Sequence, residues 1–374
     1  MSHFRVIEHT VRAHHIRVRL GAVKPGHENE LRLTIKQYVP PDNPDSKEGD
    51  PQSPHLNIWI ADVVQQGQSG ILNEGILGDD PDWHDHARDI FSMITQFRDK
   101  IRQPIVGIGR SMGGMQLAHL SLTHPALFSA LVLVDPTIAR SNVGLKFAQA
   151  SIYRRDLWRS RAEAVQKFNS NPFYQARVWT SRTPYAPVYP VTDQNGPGAV
   201  TLTTTKAQEL FFYCRLSYID ERSGLRRGDP KEDMHPDDID EYYPFYRPEP
   251  VLLFCRLPGL KPPVLYLFGG KSELSTPEAR REKMEITGTG VGGSGGVKAG
   301  AVEEVVLPAG HLVPMEPAKE TAQATGDFIH SRLSQWEVRL KRYQDAWRGV
   351  PQEERVQVDK QWEKHLGVSR RPKL

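Results

Sequence analysis

The chain has 374 residues, 38% of them hydrophobic and 25% charged, with a formal charge of +3. That length and apolar content allow a large buried core. The near-balanced charge, with no aromatics interleaved among basic runs, excludes a nucleic-acid partner. Cys214 and Cys255 are the only cysteines and lie in no Cys-x-x-Cys or Cys/His cluster, so neither a disulfide framework nor a metal site is expected, and no cofactor.

The first residues, Met-Ser-His-Phe-Arg-Val, form no apolar leader, and runs such as 131–134 are far too short to span a bilayer. A soluble, intracellular protein is expected. Two β-rich stretches open the chain at 15–20 and 31–39, followed by a polar Pro/Asp loop over 40–55 and a short strand over 57–61. A helical pattern runs from 83 to about 98. The strand PIVGI (104–108), the turn GRSMGG, a helix over 115–122 and the strand ALVLV (130–134) come next.

Strands apolar throughout that alternate with helices indicate a parallel sheet covered on both faces. The rhythm changes between 138 and 260, where helical patterns rich in Arg, Trp and Tyr are separated by Pro-rich loops, as in an inserted helical cap. It resumes with VLYLF (264–268), a helix over 277–284, a strand over 302–307 and a helix from about 316 to 336. The glycine-rich segment 288–300 follows a helix and precedes a strand, the reverse of a phosphate loop, and is expected to be a flexible connection. Residues 1–137 and 261–336 are therefore assigned to an α/β core, 138–260 to the cap and 337–374 to a charged helical tail. Trp347 and Trp362 in that tail are available to dock onto the body.

Gly109-Arg110-Ser111-Met112-Gly113 fits G-x-S-x-G between an apolar strand and a helix, the setting of a nucleophile elbow. Such a turn lifts the central hydroxyl to the C-terminal edge of the sheet, and the helix N-terminus favours negative charge there. Ser111 is the expected nucleophile. It needs a proton acceptor, and among the 14 histidines His311 stands directly after the last strand, beside Gly310, downstream of the serine. His84 and His86 read as a solvated helix face, and His119 and His124 as packing or surface residues. For the carboxylate that orients the histidine, Asp135 at the end of ALVLVD is preferred over Glu273 in GGKSE, although an aspartate is more usual about where Ser272 stands. The N–H of Met112 is one oxyanion donor.

The segments IWIADVVQQGQSGILNE, LGDDPDWHDHARDI, PIVGIGRSMGG, LVLVDP and PAGHLVPME together resemble one branch of the α/β-hydrolase superfamily. These are fungal peroxisomal hydrolase-like proteins associated with host-selective toxin biosynthesis, similar to the yeast peroxisomal lipase. The resemblance covers roughly 30–340 and implies an α/β-hydrolase fold and a serine hydrolase of acyl esters or thioesters, with a small-molecule acyl substrate.

Three departures stand out. Arg110 occupies a position where the branch usually has His. Between LRLTIKQYV and NIWIA the branch has a further central strand, a His-Gly loop that gives a second oxyanion donor, and a helix; here only the polar stretch 40–55 is available. Its absence implies an incorrectly spliced gene model or an impaired enzyme, and with the latter the alternative of a homologue that binds an acyl ligand or a partner without turnover. Finally, Pro372-Lys373-Leu374 departs from the peroxisomal Ser-Lys-Leu signal at its first residue. The expectation is the peroxisomal matrix, reached through an import receptor, with the cytoplasm as the alternative.

Overall fold

The structure, a computed structural model, describes residues 4–40, 57–140, 143–170, 188–190, 199–234 and 244–366. The chain opens with β1 (Arg5–Arg12), β2 (Arg32–Val39) and β3 (Ile58–Ala61), then α1 (Gly67–Asn73) and α2 (Trp83–Gln96). The elbow region follows as β4 (Val106–Arg110), α3 (Met112–Thr123) and β5 (Ala130–Val134).

Strand β1 corrects the expectation of a strand over 15–20. The alternation in RVIEHTVR pairs antiparallel with β2, from Arg5 opposite Val39 to Arg12 opposite Arg32. Residues 15–20 are drawn instead onto α2. Arg17 pairs with Asp89 at 3.0 Å, Arg19 with Asp82 at 3.0 Å, and the Val18 N–H donates to Asp85.

Between β5 and the resumption of the sheet come α4 (Leu145–Ile152), β6 (Leu157–Trp158), α5 (Arg161–Ser170), β7 (Val188–Pro190), β8 (Val200–Leu202), α6 (Lys206–Tyr213), β9 (Arg215–Leu216), α7 (Pro230–Asp233), β10 (Phe245–Tyr246) and α8 (Glu249–Arg256). The described residues of this stretch combine helices with short strands. Its short strands pair antiparallel as β6-β8-β7 and β9-β10. The chain then runs through β11 (Val264–Gly269), α9 (Pro277–Ile286), β12 (Val302–Leu307), α10 (Ala318–Trp347), α11 (Gln352–Arg355) and α12 (Lys360–Leu366).

The central sheet is parallel, in the order β12-β11-β5-β4. Every residue of β5 and β11 is buried, as a sheet covered on both faces requires. One face packs Leu131, Leu133, Tyr266 and Phe268 against α2, α3 and α8; the other packs Val132, Val134, Leu265 and Leu267 against Phe328 of α10. Strands β1-β2-β3 form a second, antiparallel sheet. Among the described residues no strand joins the two sheets, which end at β3 and β4. Apolar side chains are uncovered along these two strands: Ile58 is 48% exposed, Ile60 51% and Ile108 55%. Of the polar stretch 40–55, residues 41–55 lie outside the described residues.

An Asp-rich run between α1 and α2 holds the insertion. Asp80 binds Arg215 at 2.8 Å, Asp79 binds Arg227 at 2.6 Å, and the Trp83 indole N–H donates to the Phe212 carbonyl at 2.6 Å. Arg247 and Glu249, both fully buried, pair at 3.0 Å, while the Arg247 guanidinium also donates to the Pro81 and Phe211 carbonyls. Buried charges are tolerable only when partnered in this way.

Two other expectations change. The glycine-rich segment is anchored, with N–H groups of Gly290 and Ser294 donating to the carbonyls of Pro258 and Leu260. The tail does not bury its tryptophans: Trp362 is 59% exposed and Trp347 39%, the latter in ring contact with Tyr343 and Arg355. Among the described residues, no helix is long and apolar enough to cross a membrane.

Candidate active site

Ser111 sits between β4 and α3 with φ 54° and ψ −122°, a conformation costly for a side chain with Cβ. The local sequence makes it attainable. A Cβ on Gly109 would lie 2.5 Å from the Gly113 backbone, so only glycine lets the helix fold back against the strand. Outside contacts hold the bend: the Ser111 N–H donates to the Val134 carbonyl at 2.8 Å, and the Thr137 N–H donates to the Ser111 carbonyl at 3.1 Å.

His311 arrives on the loop after β12. Its Nε2 is 2.9 Å from Ser111 Oγ, and its Nδ1 is 2.6 Å from Asp135 Oδ2. The carboxylate keeps the proton on Nδ1, which leaves Nε2 a lone pair and makes the serine hydroxyl the donor to it. The Phe147 ring, 5.7 Å from the imidazole between centroids, flanks it from α4.

Asp135, fully buried and itself at positive φ (42°), collects further donors. Ser272 Oγ donates to Oδ2 at 2.5 Å, Ser275 Oγ donates to Oδ1, and the Gly269 N–H donates to Oδ1 at 3.1 Å. Burial opposes ionisation here. The bonds from His311, Ser272, Ser275 and Gly269 outweigh it and hold the carboxyl below its ordinary value. Glu273, the alternative acid, is not at the histidine: its side chain is 74% exposed and pairs with Lys146 at 2.5 Å. Ser272, the position where an aspartate is more usual, donates to Asp135.

The N–H of Met112 opens α3, where a helix leaves its first N–H groups without ladder partners; those of Gly114 and Met115 turn back to the Ser111 carbonyl. This is the first oxyanion donor the sequence indicates. The arrangement can take a proton from a hydroxyl, attack an acyl carbon and return the proton to a leaving group.

Three neighbours were missed from sequence: Thr137, whose Oγ1 is 2.9 Å from Ser111 Oγ, and the two serines on Asp135. The sequence marked Ser272 only as a usual place for an aspartate, and Thr137 only by standing two residues beyond Asp135. The surface reading of the helix histidines is overturned. His86 is buried, which pushes its imidazole down to about 4, and His84 pairs with Asp82 at 3.1 Å and meets the His119 ring in a tilted contact. His124 stacks on Phe91, in line with a packing role.

A model of the alpha/beta hydrolase family matches residues 31–324. The type I acyl-CoA thioesterase mpaH' of Penicillium brevicompactum is 32% identical over 417 residues, covering 97% of this chain and 95% of that protein. Since 97% of this chain is about 363 residues, about 54 aligned positions of that relative face no residue here. The abhydrolase domain-containing protein ACTT2-1 of Alternaria alternata is 30% identical over 275 residues, 71% of this chain and 98% of that one. Among solved structures, the peroxisomal alpha-beta-hydrolase Lpx1 of Saccharomyces cerevisiae superposes with a TM-score of 0.64 at 16% identity, covering 97% of this chain and all of that one.

Proposed function

The chain belongs to the alpha/beta hydrolase family, and we propose that it hydrolyses acyl thioesters, with acyl-CoA the leading class and simple acyl esters accepted as well. The observation that carries this reading is the continuous line Asp135–His311–Ser111, with separations of 2.6 and 2.9 Å. The name of the Penicillium thioesterase, 32% identical along nearly the whole chain, supports the thioester class.

In this reading Ser111 Oγ attacks the acyl carbon while its proton passes to His311 Nε2. Met112 N–H receives part of the charge on the carbonyl oxygen, and the imidazolium gives its proton to the departing thiolate or alkoxide. Water, deprotonated by His311, then releases the acid. Asp135 holds the tautomer. Residues 138–260 act as the cap over this edge of the sheet, and residues 337–374 as a tail apart from it.

Fluorophosphonate labelling of the purified protein, lost in Ser111→Ala, tests the nucleophile. Release of free thiol from medium-chain acyl-CoA tests the substrate class, and a folded protein that neither labels nor releases thiol overturns the reading. Peroxisomal-matrix location, through receptor recognition of Pro372-Lys373-Leu374, belongs to the same proposal; these residues lie outside the described ones. Imaging of a fluorescent fusion at the N-terminus tests it.

The gap between β3 and β4 among the described residues favours one second reading, a homologue that binds an acyl ligand without turnover. Acyl binding unaffected by Ser111→Ala and His311→Ala, with no ester hydrolysis, would select it.

A further inference from the structure

Ser111 Oγ has two polar neighbours. His311 Nε2 and Thr137 Oγ1 each stand 2.9 Å from it. The serine has a single proton, and an imidazole protonated at Nδ1 can only accept at Nε2, so that proton points to His311. The bond to Thr137 must then run the other way, with the threonine hydroxyl donating into a lone pair of the nucleophile.

The threonine is held for this. It is 3% exposed, its N–H donates to the Ser111 carbonyl at 3.1 Å, and the Ile138 N–H closes a turn onto the Pro136 carbonyl at 2.8 Å. Ser111 in turn is tied through its N–H to Val134, the last residue of β5. The backbones that carry the two hydroxyls are therefore fixed to each other and to the end of the strand.

We propose that Thr137 is a catalytic hydrogen-bond donor to the nucleophile, acting in both halves of the reaction; the inference rests on Ser111 being that nucleophile. During attack the Oγ–carbon bond forms, the carbonyl π pair moves to its oxygen and the serine proton goes to His311. Negative charge gathers on Oγ as that proton leaves, and a hydrogen bond strengthens when its acceptor becomes charged. In deacylation the Oγ–carbon bond breaks, the pair returns to Oγ and His311 gives back the proton, so the same donor faces the same developing charge. Thr137 keeps its own proton throughout. A contact stronger in the transition state than in the ground state raises kcat and leaves KM in place.

The test compares Thr137→Val, which removes the hydroxyl and keeps the branched shape, with Thr137→Ser, which does the reverse. For Thr137→Val we expect the second-order rate of fluorophosphonate labelling and the kcat for a p-nitrophenyl ester to fall about tenfold with KM unchanged. Thr137→Ser should recover most of that loss. If Thr137→Val does not fold, Thr137→Ala carries the same expectation. A hydroxyl-free variant that labels at the wild-type rate overturns the proposal, and so does a serine variant as slow as the valine one, since the methyl group would then be what matters. Failure of the wild-type protein itself to label removes Ser111 as nucleophile, and the role of Thr137 with it.

Discussion

Asp135 and His311, separated by 176 residues in the chain, meet at 2.6 Å between Oδ2 and Nδ1. Replacing Asp135 by Asn would preserve the shape while offering an amide N–H to Nδ1, which favours the wrong tautomer. We expect kcat on a p-nitrophenyl ester to fall by about 10⁴ in Asp135→Asn, the order seen when this relationship is broken in serine hydrolases. Glu273→Gln, on the exposed surface, should leave kcat within about twofold. Equal losses in the two variants would contradict the assignment.

The acid's environment predicts a pH dependence. A carboxyl held below its ordinary value contributes stability that is present above the unfolded-state value and is lost as pH falls through the folded-state one. Removing donors in the double variant Ser272→Ala/Ser275→Ala raises the folded-state value. Its acid loss of stability should therefore be smaller than in the wild type, with the end of that loss displaced to higher pH; the two proteins differ most above the carboxylate range and converge below it. Urea unfolding followed across about pH 3 to 8 checks the displacement.

Lys283 is 1% exposed, over the Phe268 ring, and its ammonium is pushed down to about 8 by burial against the pull of Asp135 and Glu282. The folded protein thus holds this proton less tightly than the unfolded chain does. The resulting cost is complete below about 8 and disappears as pH rises toward the ordinary lysine value. Lys283→Met should stabilise the protein at pH 7 by about 1–3 kcal/mol, with the gain shrinking steadily above about pH 8. A pH-independent change in melting temperature would refute it.

The pair Arg247–Glu249, fully buried where α8 meets the α2 turn, has a different logic. Arg247→Met strands a carboxylate and should cost about 3–5 kcal/mol; adding Glu249→Leu should recover part of that cost. Chemical denaturation of both variants measures the coupling. A double variant less stable than the single one would show that the charge itself is needed there.

Ile60 faces Lys36 across the β2–β3 pair and is half exposed on a strand that, among the described residues, pairs on one side only. Such an edge invites pairing with other chains. Ile60→Glu puts an opposite charge beside Lys36, so stability should change by no more than about 0.5 kcal/mol while self-association falls. Light scattering against concentration is the readout, and undiminished association would move the sticky surface elsewhere.

Ser111 and His311 were legible in the sequence because the features that make them reactive are local. A turn between strand and helix, with glycine where backbones touch, is written in about five consecutive residues, and the histidine is marked by its place after the last strand. The parallel core was legible for the same reason: strands buried on both faces are apolar in every residue. The tertiary structure alone separates Asp135 from Glu273, because a carboxylate's partner depends on which loop the sheet brings to the imidazole: His311, Ser272, Ser275 and Gly269 converge on Asp135, while Glu273 pairs with Lys146 at the surface. It alone turned Arg17 and Arg19 from strand residues into partners of Asp89 and Asp82, and placed Thr137 against Ser111. Those contacts join residues far apart in the chain, and no periodicity encodes a distance between two side chains that only packing brings together.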